Sequence, residues 1–133
     1  MPDTPRIEEL RRRVESDPAS FAFAVLAEEY RKAGRIDDAI ATCRAGLDRH
    51  PSYHSARATL GRALAEHGDF EAAREAFEAV LCAAPGHLAA QRGLADVNRR
   101  GADARRARQV AALERLLASV ERRRTAGPAA AGD

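Results

Sequence analysis

Apolar residues recur along the chain at steps of three and four. Ile7, Leu10 and Val14 begin the pattern, Phe23, Leu26, Ala27 and Tyr30 continue it, and Val110, Leu113, Leu117 and Val120 close it. This is the period of an amphipathic helix, not the alternation of a strand. The runs are punctuated at regular places. Asp17-Pro18, His50-Pro51 and Ala84-Pro85 follow one another at 33 and 34 residues, and Gly34, Gly68 and Gly101 at 34 and 33. Proline suits the first turn of a helix and glycine the position just past its end. The breakers therefore predict seven helices, at about 5–16, 19–33, 36–49, 53–67, 70–83, 87–100 and 104–124, with Asp69 and Asp103 where N-caps are wanted.

Shifted by 34 residues, the chain matches itself. Leu26 meets Leu60 and Leu94, Ala27 meets Gly61 and Ala95, Ile36 meets Phe70 and Ala104, Ala39 meets Ala73 and Ala107, and Cys43 meets Phe77 and Ala111. Small residues fall where two helices must approach closely, and larger ones where the space between them must be filled. A fixed period of this length marks stacked repeats. The unit resembles the tetratricopeptide repeat, a helix–turn–helix of 34 residues. The resemblance implies an all-α protein, an α-solenoid of antiparallel helix pairs wound into a right-handed superhelix. A capping helix is expected over 1–18. Three repeats (about 20–53, 54–87 and 88–121) and an extended C-terminal helix are expected within 19–124, and a disordered tail over 125–133. The third repeat departs furthest, because Gly101 arrives one residue early and no proline closes it.

Composition supports this reading. There are 31 alanines in 133 residues, aromatics are 5% and tryptophan is absent. Such a chain favours helices packed through small aliphatic side chains and argues against a β-sandwich. The richness in Arg and Ala, with Lys32 the single lysine, suggests a bacterial source of high GC content. Two cysteines exclude a disulfide scaffold. No apolar run is long enough to span a membrane and the N-terminus lacks the order of a signal peptide, so a cytoplasmic protein is expected.

The net charge of +2 hides an asymmetry. Residues 99–124 hold nine arginines against three acids, +6, while residues 1–98 hold thirteen basic residues against sixteen acids, −3. No aromatic is interleaved with those arginines to stack a base, so nucleic acid is not an expected partner. The segment reads first as a solvated capping helix, with self-association through Val110, Leu113, Leu117 and Val120 as the alternative and nucleic-acid contact through its arginines ranked last.

Catalytic chemistry finds little support. His50 and His54 have metal-sharing spacing, but Pro51 lies between them. His67 and His87 fall at helix ends, and Cys43 and Cys82 read as small buried hydrophobes. There is no phosphate loop, serine motif or HExxH. No catalytic residue, metal or cofactor is expected.

The resemblance implies binding instead. In this family the first helices of successive repeats line a concave groove that receives a partner's peptide or helix. By position, the groove residues are Phe21, Ala24, Glu28, Arg31 and Lys32, then Ser55, Ala58, Arg62 and Glu66, then Ala89, Arg92, Asp96 and Arg99. Cations outnumber acids among them, which predicts an acidic partner segment with some apolar anchors. The protein is expected to be an adaptor or assembly scaffold, with chaperoning of a secretion or pilus subunit as the alternative. One subclass clamps the C-terminal carboxylate of heat-shock chaperones with Lys and Asn in repeat one, Asn in repeat two, and Lys and Arg in repeat three. The matching positions here are Ala24, Glu28, Thr59, Ala89 and Gly93, so that ligand is not expected.

Overall fold

Local capping sets the first helix. The Thr4 Oγ1 accepts a hydrogen bond from the Ile7 amide at 3.2 Å, and Pro5 occupies the first turn, where an amide has no helical partner. The computed structural model describes residues 3–131, with side chains for residues 3–127. The helices are α1 (Pro5–Ser16), α2 (Ala22–Lys32), α3 (Ile36–Arg49), α4 (His54–His67), α5 (Phe70–Ala83) and α6 (Leu88–Ala131). Among the described residues there is no strand.

Two glycines end helices as their spacing predicts. Gly34 (φ +80°) and Gly68 (φ +91°) take the left-handed conformation. Their turns close in the same way: the Arg35 amide donates to the Tyr30 carbonyl at 2.9 Å, and the Asp69 amide to the Leu64 carbonyl at 3.0 Å. Asp69 then caps α5 by accepting from the Ala72 amide.

The third glycine behaves differently. Among the described residues six helices form rather than seven, because Gly101 lies inside α6 with no left-handed turn. The large apolar residue that anchors the start of each earlier second helix, Ile36 or Phe70, is replaced by Ala104. A glycine inside a helix costs only about 1 kcal/mol, and no large side chain at that position rewards a turn. The helix also runs on through residues 125–131, where a disordered tail was expected, while residues 132–133 lie outside the described residues.

The chain divides into two units at Asn98. In the first, α1 packs on α2, α2 on α3, α3 on α4 and α4 on α5. Ile7 and Leu10 bury one stripe of α1 in the shared core with Phe23, Leu26, Leu60, Leu64, Phe77 and Val80. Small residues set the helix spacing. A Cβ placed on Gly46 would strike the Phe23 ring, and one on Gly61 or Gly93 would strike Phe77. The first turns of α6 belong to this unit and bury Ala90 and Val97. The second unit, from Arg99 onward, is the remainder of α6 and leaves Val110, Leu113, Leu116, Leu117 and Val120 exposed.

Candidate functional site: the face of α2, α4 and the start of α6

The surface of α2 that the core does not need carries Phe21 at its N-cap, then Val25, Glu28 and Lys32. These residues are spaced four, three and four apart and so share one stripe. Phe21 is 54% and Val25 42% exposed, large apolar groups left in water. The Phe21 ring stacks on His50 (centroids 4.1 Å apart) and Tyr53 (5.2 Å), and the ring nitrogen Nε2 of His50 hydrogen-bonds the Ala19 carbonyl at 2.7 Å. Residues from the α3–α4 turn thus fix the upper end of the stripe.

Beside it, an ion-pair network ties α2 to α4. Arg31 donates from Nη2 to Glu28 Oε1 at 2.5 Å and from Nε to Glu28 Oε2 at 3.1 Å, a two-pronged pair. Its Nη1 donates to Glu66 Oε1 at 2.5 Å, across the helix pair. Arg62 of α4 lies 3.9 Å from Glu28 Oε1. The Arg31 side chain is only 15% exposed, so its charge is largely spent on holding the two helices together. The hydrogen bond from Arg31 holds the Glu28 carboxyl below its usual range against the opposing effect of burial, with Arg62 and Lys32 adding to the lowering. The same bond raises Arg31 further above its already high value.

The other predicted groove residues divide. Lys32, Ser55, Arg62, Glu66, Ala89 and Arg92 are exposed, and Ala24 and Asp96 are half-buried. Ala58 is buried in the core and presents nothing to a ligand. Arg99 belongs to the second unit. Val25 and the Phe21–His50–Tyr53 stack were not foreseen. Val25 had a signal, since an apolar residue stands where the 34-residue register places Thr59 and Gly93.

The chemically reactive side chains lie elsewhere. Cys43 is buried, donates to the Ala56 carbonyl at 3.6 Å, and has its thiol pushed up to about 12 by burial. That is the opposite of an activated nucleophile. Cys82 is exposed, which corrects the expectation that both cysteines are buried; it stands on the last turn of α5, facing away from the core. His87 accepts from the Ala90 amide through Nδ1 and caps α6. Among the described residues, no group of three or more His, Cys, Asp or Glu side chains is placed to hold a metal, and no helix is long and apolar enough to cross a membrane.

Comparison with known proteins places this geometry. Residues 25–87 and again 58–121 match the tetratricopeptide-repeat family. The chain is 32% identical over 94 residues to bacteriophage adsorption protein A of Escherichia coli K12, covering 71% of this chain but only 10% of that protein. The second tetratricopeptide domain of human RPAP3, solved with the HSP70 peptide SGPTIEEVD, superposes with a TM-score of 0.66 at 29% identity, over 69% of this chain and 78% of that one. The Sgt2 domain of Aspergillus fumigatus superposes with a TM-score of 0.70 at 25% identity, over 75% and 68%. These likenesses lend no support to the exclusion of a chaperone tail, which rests on five side chains alone. Repeat period, paired helices and family match agree: the chain belongs to the tetratricopeptide-repeat family.

Proposed function

We propose that this chain is a non-catalytic protein-interaction module that holds an acidic partner segment with apolar anchors along the face of α2, α4 and the start of α6. One observation carries the reading. Arg31 is hydrogen-bonded to both Glu28 and Glu66 within the face, while the cations Lys32, Arg62 and Arg92 stand exposed beside the apolar Phe21 and Val25. The face holds four cations, Arg31, Lys32, Arg62 and Arg92, against three acids, Glu28, Glu66 and Asp96, so its sum is positive, and Phe21 and Val25 offer area that gains by leaving water. The network also fixes the helix spacing beforehand, which lowers the ordering cost of binding. The fold supports an adaptor or scaffold role, and bound peptides in proteins of like fold support a peptide-sized occupant.

The test is affinity capture by the full chain against variants Arg62→Glu and Arg92→Glu. Each is expected to weaken the captured partners about tenfold or more, as removal of a charge pair does. Partners retained equally by both variants would refute the reading. Titration with the peptide SGPTIEEVD addresses the chaperone tail separately. No binding is expected, because Ala24, Glu28, Thr59, Ala89 and Gly93 supply none of the clamp's donors.

A further inference from the structure

Among the described residues, α1 and α3 both pack on α2 but not on each other. The gap between them is a cleft of about 370 Å³ in the first unit, within the range that takes small ligands. Its floor is Phe23, Leu26 and Tyr30 of α2, each 5% exposed or less. The wall from α3 is low, because Ala41, Thr42, Ala45 and Gly46 are all small. The sequence explains why space is left here. One repeat on, the 34-residue register puts Val80 where Gly46 stands and Leu64 where Tyr30 stands, and Val80 is fully buried in its own core. The chemistry of the cleft is therefore particular to the first repeat and does not follow from the period. Its floor also lies on the side of α2 opposite the stripe of Phe21, Val25, Glu28 and Lys32, as the helical rotation between those positions requires.

The Tyr30 end of the cleft is built for an acceptor. The hydroxyl oxygen accepts from Arg11 Nε at 3.2 Å and from Arg11 Nη2 at 3.0 Å. The Arg35 guanidinium stands over the ring, 4.6 Å from its centroid, and fixes it. The hydroxyl proton itself has no acceptor among the described residues, although the side chain is buried. A buried donor left unpaired costs free energy that an arriving acceptor recovers. Arg11 Nη2 also pairs with Asp3 at 2.6 Å, while its Nη1 has no partner among the described residues. Arg49 is a second cation on the lining, exposed and unpaired among the described residues, against one acid, Glu15.

We infer that this cleft binds a small carboxylate with an apolar tail. The carboxylate accepts from the Tyr30 O–H and from Arg11 Nη1, and the tail lies over Leu26 and Phe23, where burial drives it out of water. Tyr30 and Phe23 are seven residues apart on one helix, about 10 Å along its axis, so the tail is an acyl chain of about eight carbons. Glu15 stands one turn along α1 from Arg11, about 6 Å from the level of the head group, so it does not oppose the carboxylate directly. The site uses no residue of the face formed by α2, α4 and the start of α6, and it stands whatever that face holds.

Titration calorimetry of the full chain with octanoate tests it. Saturable binding of one molecule per chain is expected, about tenfold weaker for hexanoate, which buries two fewer methylenes. Octanol, with the same tail and no charge, should bind about tenfold more weakly than octanoate, and Tyr30→Phe should lose about tenfold for octanoate, as the loss of a hydrogen bond to a charged group does. Ala45→Trp fills the cleft from the exposed side of α3 and should abolish binding while the helical circular dichroism is retained. No saturation at millimolar octanoate, octanol binding as tightly as octanoate, or undiminished affinity in Tyr30→Phe or Ala45→Trp would each overturn the proposal.

Discussion

The second repeat and residues 88–121 begin from nearly the same instructions and end differently. Both carry a small residue inside the first helix, Gly61 or Ala95, and both have a glycine after it, Gly68 or Gly101. At Gly68 the chain turns. The residue takes φ +91°, Asp69 caps the next helix, and the Phe77 ring closes over Gly61. At Gly101 the chain stays helical. The difference teaches that a glycine permits a turn without imposing one. Conformational freedom lowers the cost of φ > 0, but what holds a turn is the burial gained by the helix that follows. Phe70 and Phe77 supply that burial in α5. Ala104 and Ala111, which the 34-residue register puts in their place, do not.

Three substitutions press on this contrast. The largest effect is expected at Phe77, fully buried against two glycines. Phe77→Ala should cost about 3–5 kcal/mol in urea unfolding, whereas Leu116→Ala, 62% exposed on the far half of α6, should stay within about 0.5 kcal/mol. Equal costs would mean that the second unit is packed as tightly as the first.

The glycines should respond with opposite sign. Gly68→Ala forces a side chain into the left-handed region and should destabilise by about 1–2 kcal/mol. Gly101→Ala should stabilise by about 0.5–1 kcal/mol, because alanine is the better helix residue. If Gly101→Ala destabilises as Gly68→Ala does, the third turn exists in solution and the two repeats are alike after all.

The smallest effect concerns acid. The Glu28 carboxyl is held below its ordinary value of about 4.5, first by the hydrogen bond from Arg31. A carboxyl lowered in the folded state stabilises the fold above its unfolded value, and that contribution is lost as pH falls through the folded one. Glu28→Gln should therefore flatten the decline of stability below about pH 4.5. The change should be under about 1 kcal/mol, the range of partly exposed ion pairs. An unchanged acid profile would remove the network from the account of what holds α2 to α4.

Much of the candidate site could be read in advance, because position in the repeat already placed Phe21, Glu28, Arg31, Lys32, Arg62, Glu66 and Arg92 on the first helices. What those residues do to one another could not. Arg31 and Glu66 are 35 residues apart in sequence, yet they form a 2.5 Å hydrogen bond that ties α2 to α4. Ala58 resembled its neighbours in composition and proved to be core. The stacking of Phe21 over His50 and Tyr53 joins the start of α2 to the α3–α4 turn, and no local pattern records that approach.

The sequence by itself determined the first five helices, the pairing of α2 with α3 and of α4 with α5, and the period. These follow from side-chain spacing within a few residues, from caps such as Thr4 and Asp69, and from the repetition of small residues every 34 positions. Tertiary structure alone decided whether each permitted turn is used, which cations stay open to a ligand, and which apolar residues remain in water. Those outcomes depend on burial gained between segments far apart in the chain, and burial is a property of the packed pair and of neither sequence alone.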